Sequence, residues 1–88
     1  MRVFTTRRFE RRLVKFIKNH PEASDKVRLA MEHLVANPTA PSLKVHRLFG
    51  SLVGCLACNI SYGYRLIFTV DSESICFLDI GTHDDVYR

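Results

Sequence analysis

Residues 54–80 read GCLACNISYGYRLIFTVDSESICFLDI, and most of the predicted sheet lies in this part of the chain. It consists of three runs rich in β-branched, aromatic and other apolar residues, separated by two short segments that are polar or contain glycine. Runs of this kind with short turn-forming connections are typical of antiparallel strands joined by hairpins. The pattern predicts strands at Gly54 to Ile60, Tyr64 to Val70 and Ile75 to Ile80.

The residues that precede this stretch complete the predicted sheet. Leu43 to Phe49 continues the two-residue period and predicts another strand, so that four strands form an antiparallel meander. At the start of the chain, Arg2 to Thr5 is rich in residues that favour strands. We therefore expect a short N-terminal strand in addition to the meander.

Two helices are predicted between the first strand and the meander. From Arg7 to about Asn19, apolar residues recur on one helical stripe and six basic residues occupy the other face. A second amphipathic helix is expected from Pro21 to Asn37, because proline suits a first helical turn and Pro38 disfavours helix in the residue before it. The predicted class is α+β, with the sheet covered on one face by this helical hairpin and free on the other.

Length and charge restrict the possible functions. A chain of 88 residues with 47% hydrophobic and 25% charged residues is expected to fold as a single domain, residues 1–88. Residues 1–50 carry 11 basic and 4 acidic groups, whereas residues 51–88 carry 2 and 5. This asymmetry predicts an anionic partner, such as nucleic acid or an acidic protein segment. The alternative is a solvated basic helix face.

The three cysteines indicate the compartment. An odd number of cysteines, no cationic-then-apolar leader and no apolar run near the ~20 residues of a membrane span predict a cytoplasmic protein without a membrane partner. Strand alternation places Cys55 and Cys58 on opposite faces, which disfavours a zinc site. We expect no metal or other cofactor.

One cation and two histidines stand out as chemical groups. Arg65 lies in an otherwise apolar strand, where a guanidinium needs a partner or an open face, so it is a candidate phosphate ligand or the partner of Asp79. His46 and His83 are candidates for proton transfer near neutral pH, although each alone could be a hydrogen-bonded surface histidine. Alternation puts Lys44 on the face of His46. The remaining cation of that strand, Arg47, is predicted to lie on the other face. The histidines of the helical hairpin, His20 and His33, are expected to face solvent.

Four segments together resemble a known family. They are the helical hairpin ending in Asn37-Pro38, the segment Leu43-Lys-Val-His-Arg-Leu-Phe-Gly50, the strand Tyr64-Arg-Leu-Ile-Phe68 and the tail Gly81-Thr-His-Asp-Asp-Val-Tyr87. On these residues the chain resembles the RelE/ParE superfamily of small bacterial toxins and, within it, the YafQ-like mRNA interferase branch. The resemblance covers essentially the whole chain, and the tail is its most specific part.

The resemblance implies a toxin of a type II toxin-antitoxin system. Such a toxin enters the ribosomal decoding site, cuts messenger RNA and is held inactive by an antitoxin that wraps it, and it meets operator DNA only through the antitoxin complex. The residues that match catalytic positions of this superfamily are His46, Arg65, His83 and Tyr87. Lys44 and Arg47 would be auxiliary RNA-binding residues. The chemistry expected is metal-free cleavage through the ribose 2′-OH, with the acid and base roles of the two histidines left open.

Two positions depart from the YafQ-like pattern. Asn59 and Gly63 stand where those enzymes place a further histidine and an acidic residue. One alternative is therefore a RelE-fold protein that has lost catalysis and acts with its antitoxin as a co-repressor. A ParE-like inhibitor of DNA gyrase is a further alternative, ranked last because such a protein does not need two histidines beside an arginine.

Overall fold

The structure is a computed structural model that describes residues 1–61 and 63–86. Its helices and strands follow the predicted order. They are β1 (Arg2–Thr5), α1 (Arg7–Asn19), α2 (Ser24–Ala36), β2 (His46–Arg47), β3 (Leu56–Ser61), β4 (Tyr64–Val70), β5 (Ser74–Thr82) and α3 (His83–Val86). Short 3₁₀ turns occupy Pro21–Ala23, Pro41–Leu43 and Gly50–Leu52.

In the described part of the chain, the strands form one sheet of five in the order β1-β5-β4-β3-β2. The meander β2 to β5 is antiparallel throughout, and β1 joins its β5 edge in parallel orientation. The two helices α1 and α2 carry the chain from β1 at one edge of the sheet to β2 at the other edge, and the meander then returns to β5 beside β1. The predicted α+β class is confirmed, and the N-terminal strand extends the predicted meander to a sheet of five.

The first helix begins where the sequence predicts. The hydroxyl oxygen of Thr6 accepts a hydrogen bond from the Phe9 backbone N–H at 3.0 Å, which caps the helix. Phe9 and Phe16 of α1 and Leu34 of α2 are buried against the sheet, and Phe9 stacks on Phe77 of β5 with ring centroids 5.6 Å apart. We call this cluster the helix-side core. No described helix has the length and apolar character needed to cross a bilayer.

The opposite face of the sheet is partly covered. A second cluster of buried residues, formed by Leu48, Ala57, Ile67 and Val86, packs there. It arises because the β2–β3 connection and α3, which the sequence did not predict, fold back onto this face. The expectation of a free second face is therefore wrong over this area, although Asn59 on the same face is exposed.

The predicted strand from Leu43 to Phe49 is mostly wrong. Only His46–Arg47 pairs with β3 as a strand. Before it, Pro41–Leu43 forms a 3₁₀ turn and Lys44 adopts a left-handed conformation with φ of 50°, which breaks the extended backbone. Lys44 therefore does not share a face with His46 by strand alternation.

A carboxylate closes the turn between β4 and β5. Asp71 Oδ1 accepts hydrogen bonds from the backbone N–H groups of Glu73 and Ser74, both at 2.8 Å, and from the Ser74 hydroxyl at 3.0 Å. These donors stabilise the ionised form and hold the pKa of Asp71 below its ordinary value. The turn is therefore stabilised most when this carboxylate is charged.

We predict that Asp71→Ala lowers the melting temperature by a few degrees at pH 7, because the turn loses these acceptors. A depressed folded-state pKa contributes stability above the unfolded pKa of about 4 and loses it as the pH falls further. The deficit should therefore narrow between pH 5 and about pH 3. Thermal melts of Asp71→Ala and wild type across this pH range measure the difference in melting temperature. Glu73→Ala, which removes another carboxylate from the same turn, is the control. A deficit that is constant with pH would contradict the assignment.

Candidate active site

Arg65 lies in the middle of a row that crosses three strands. Its register partners are Asn59 on β3 and Gly81 on β5. The residues on either side of it, Tyr64 and Leu66, pack into the helix-side core, so Arg65 points to the opposite face, as predicted. Directly paired residues share a face, so the exposed Asn59 side chain lies beside the half-buried Arg65.

His46 lies on the same face, at the edge of the sheet. It pairs with Ala57, which belongs to the second cluster, and its imidazole is exposed. The Ala57 row is two residues from the Asn59–Arg65 row, a separation of about 7 Å along the strands. His46 Nδ1 lies 3.4 Å from the Lys44 carbonyl oxygen. When Nδ1 carries the proton and donates to that oxygen, Nε2 is left as an acceptor facing solvent, the form that a general base needs.

The two auxiliary cations are placed differently from His46. Arg47 pairs with Leu56, a residue that packs against the helix-side core, so it belongs to the other side of the sheet. Lys44 is exposed in its left-handed turn, just before β2. The open face therefore brings together His46, Asn59 and Arg65, whereas Arg47 lies outside this group.

The end of β5 brings the C-terminal motif next to Arg65. Gly81 pairs with Arg65 and Thr82 pairs with Tyr64, and α3 begins at the next residue, His83. The backbone of His83 therefore comes directly after Gly81 and Thr82, which pair with the first two residues of β4. Tyr87, also predicted for the site, lies outside the described residues.

Asp79, the carboxylate considered as a partner of Arg65, is engaged by α1. It is buried, accepts a hydrogen bond from the Ile80 N–H at 2.8 Å, and forms an ion pair with Arg8 at 3.3 Å and another with Arg12 Nε. A bulge precedes it, because Ile67 pairs with Asp79 while the next residue, Phe68, pairs with Phe77. The extra residue disturbs simple alternation, so the direction of Asp79 could not be derived from the period alone.

His20 is not the solvent-facing residue that the sequence predicted. Its ring is half-buried, with its centroid 4.9 Å from the ring of Phe16 and 4.8 Å from that of Tyr64. Its Nδ1 lies 3.2 Å from the Tyr64 hydroxyl, so the end of α1 is tied to the start of β4. The sequence feature that could have predicted this position is the four-residue spacing of Phe16 and His20, which brings two rings together on one helix face.

The cysteines lie on opposite faces, as predicted. Cys58 is buried in the helix-side core, where burial raises the pKa of its thiol, and Cys55 packs against the second cluster. Cys58 Sγ donates to the Leu43 carbonyl oxygen at 3.4 Å. Among the described residues, no three His, Cys, Asp or Glu side chains group as metal ligands.

The whole chain, residues 1–88, matches the family model described as YafQ, the bacterial toxin of a type II toxin-antitoxin system. The chain belongs to the YafQ toxin family. The predicted resemblance is thereby confirmed, and no curated protein sequence matches the chain significantly.

Solved structures share the YafQ fold. YafQ from E. coli strain BL21(DE3) is 21% identical with a TM-score of 0.86, and each chain is covered completely. The toxin of the E. coli DinJ-YafQ toxin-antitoxin complex is 20% identical with a TM-score of 0.82, covering 98% of this chain and 96% of that one. A YoeB/ParE toxin from Agrobacterium tumefaciens is 15% identical with a TM-score of 0.80, covering 94% and 99%. At these identities the structures establish the common fold.

The two departures from the YafQ-like pattern fall beside the candidate site. Asn59, in place of a histidine, is the direct neighbour of Arg65. Gly63, in place of an acidic residue, has φ of +85° in the β3–β4 connection, and a Cβ built there would meet nothing within 4 Å. This YafQ-family chain therefore has an amide and an open space at the two positions where the resemblance implies titratable groups.

Proposed function

We propose that this YafQ-family toxin is a ribosome-dependent endoribonuclease that cuts messenger RNA. The observation that supports the proposal is the placement of Arg65 on the open part of the sheet face, with His46 on one flank and the strand end that leads to His83 on the other. A cation between two segments that each carry a histidine suits cleavage of a phosphodiester, because the cation can stabilise the phosphate charge while the histidines transfer protons.

The reaction begins at a ribose 2′-OH. The Nε2 atom of neutral His46 takes the hydroxyl proton, and the resulting oxygen attacks the adjacent phosphorus in line. An O2′–P bond forms while the P–O5′ bond breaks. A protonated His83 imidazole gives its proton to the departing 5′ oxygen, so the products are a 2′,3′-cyclic phosphate and a free 5′-OH.

Arg65 stabilises the charge that develops during this step. Its planar guanidinium can donate two N–H groups to the non-bridging oxygens of the phosphate, which gain charge as the bond to O2′ forms. Tyr87 is proposed to orient the phosphate or stack on a base, with Lys44 as an auxiliary phosphate contact. Arg47, on the other side of the sheet, is proposed to bind RNA away from the cut phosphate. The base, the acid and the cation in this scheme are all side chains of the protein.

The spacing of the strands supports a base and an acid on opposite sides of the phosphate. His46 is on β2 and the segment leading to His83 ends β5, so the two strands are three inter-strand spacings apart, about 14 Å measured across the sheet. Arg65 on β4 lies between them. In-line displacement needs the attacking and leaving oxygens on opposite sides of phosphorus, which matches this arrangement. We infer that the ribosome positions the message across it.

We also infer that a cognate antitoxin binds and inactivates this toxin. The E. coli neighbour is known in a toxin-antitoxin complex with DinJ. On this chain, Phe49 and Val53 of the β2–β3 connection line one cleft, and 84% and 73% of their surface is accessible. An exposed apolar pair of this kind favours a protein partner. Operator DNA would be bound only through that complex.

A non-catalytic co-repressor remains the second candidate. It is favoured by Asn59, which offers an amide beside Arg65 where a titratable imidazole would be expected. Such a protein would bind the antitoxin without cutting RNA, and the complex of the two would bind the operator. Gyrase inhibition is the third candidate and uses none of the histidines.

The test is a cleavage assay with purified protein, translating ribosomes and a defined message. We expect cuts within codons, no cuts in the same message without ribosomes, and loss of cutting when the antitoxin is added. Intact message with folded protein, together with normal operator binding by the antitoxin complex, would favour the co-repressor. Inhibited gyrase supercoiling with intact message would favour the third candidate.

A further inference from the structure

A polar cleft of about 300 Å³ opens between α1 and the end of β5. Arg12, Lys15 and Asn19 of α1 and the following His20 provide its polar walls. Its floor is formed by Phe16, Ile80 and Gly81. We call it the α1 cleft. None of its four polar residues belongs to the proposed cleavage chemistry.

The α1 cleft lies at the end of the row that contains Arg65. This row runs from Asn59 on β3 through Arg65 on β4 to Gly81 on β5, and Gly81 also lines the cleft. Arg65 faces away from the helices and the cleft lies on the helix side. An RNA strand that crosses the sheet along this row would therefore pass over the end of β5 and enter the cleft.

The charges of the cleft suit an anion. Arg12 is held by Asp79 through its Nε, and that one carboxylate is shared with Arg8, so the three groups together retain a positive charge. Within the described residues, Lys15 forms no ion pair and is exposed. An ammonium, a guanidinium and the Asn19 amide are groups that commonly contact phosphate oxygens.

The walls of the cleft are fixed by packing. The His20 ring packs against both Phe16 and Tyr64, and its Nδ1 lies within hydrogen-bonding distance of the Tyr64 hydroxyl. Glu22, the acid near this ring, lies 3.7 Å from Nδ1 and is mostly exposed. Because Tyr64 precedes Arg65 in β4, the cleft wall and the proposed phosphate ligand are anchored to the same strand end. An RNA strand that binds in the α1 cleft through one phosphate would therefore be held with another of its phosphates at Arg65.

We infer that the α1 cleft binds a phosphate of an RNA strand next to the one that is cut, with Lys15 as its main ligand and Asn19 beside it. This inference rests on the proposed ribonuclease function. The phosphate could belong to the message or to ribosomal RNA, since both offer the same oxygens.

The charge-matched pair Lys15→Gln and Lys18→Gln tests the inference, because Lys18 is an exposed α1 lysine that does not line the cleft. Single-turnover cleavage is measured against toxin concentration on programmed ribosomes. We expect Lys15→Gln to raise the half-saturating concentration about tenfold and to reduce the slope of log affinity against log salt by about 0.7–1. Lys18→Gln should change the half-saturating concentration by less than about twofold.

The source of the phosphate is found with messages that carry one neutral methylphosphonate at successive positions. If the difference between Lys15→Gln and wild type disappears at one position, the message supplies the phosphate. If it persists at every position, ribosomal RNA supplies it.

Equal effects of the two substitutions would overturn the inference, because the cleft would then add nothing beyond diffuse charge. So would a Lys15→Gln protein that cuts normally but binds the antitoxin weakly, since the ligand would then be a protein. In both cases wild type still cuts message. If wild type does not cut, it is the proposed function that fails.

Discussion

Replacing His83 with alanine is expected to slow single-turnover cleavage of ribosome-bound message by about 10²–10⁴-fold. The reason is the leaving group: without a proton donor, the 5′ oxygen must depart as an alkoxide. His83 begins α3 directly after the residues that pair with Tyr64 and Arg65, so its backbone lies beside the proposed phosphate position. The rate is measured at saturating toxin, so that a change in binding does not contribute.

His33→Ala is the matched control for this substitution. His33 is an exposed histidine of α2 and has no part in the proposed chemistry, so its removal should leave the rate unchanged. Equal melting temperatures and antitoxin affinities of both variants would exclude unfolding as the cause. An alanine variant at position 83 that cuts at the wild-type rate would remove His83 from the mechanism and leave acid catalysis without a residue.

Arg65→Gln is expected to lower the cleavage rate by about 10²–10³-fold, because the phosphate oxygens lose a fixed cation as they gain charge. The half-saturating toxin concentration should change much less, since the interaction strengthens mainly in the transition state. Arg65→Lys should recover part of the rate, because an ammonium restores the charge without the bidentate geometry.

Arg28→Gln is the control for loss of an arginine. Arg28 is exposed on α2 and makes surface ion pairs with Asp25 and Glu32, which contribute little to stability. It should cut like wild type. If Arg65→Gln raised the half-saturating concentration and left the maximal rate intact, Arg65 would be a binding residue and the charge-stabilising role would be wrong.

The sequence was sufficient for α1, α2 and the central strands, because their signals are local. The helical period over Arg7–Asn19, the Thr6 cap and the proline boundaries are properties of neighbouring residues, and the structure has the helix at these positions. The strand before Gly50 could not be bounded in this way. Its residues alternate, but the left-handed Lys44 and the preceding 3₁₀ turn depend on how the α2–β2 connection packs.

The candidate site was only partly predictable from the sequence. Alternation in Tyr64–Val70 placed Arg65 on the side away from the helices, which the structure confirms. The bulge that precedes Asp79 and the half-buried position of the His20 ring depend on contacts between residues far apart in the chain. A two-residue or 3.6-residue period carries no information about such contacts. Those contacts form the α1 cleft, so the cleft could not be predicted from the sequence.

The proposed reaction begins at a ribose 2′-OH, so its sharpest test replaces that hydroxyl alone. A defined message is prepared with a single 2′-O-methyl nucleotide on the 5′ side of a mapped cut and is presented on translating ribosomes to the wild-type protein. We predict that cutting at this position is abolished, that cuts elsewhere continue, and that unmodified message yields a 2′,3′-cyclic phosphate. Undiminished cutting at the modified nucleotide, or no cutting of any message by the folded protein, would contradict the proposed reaction.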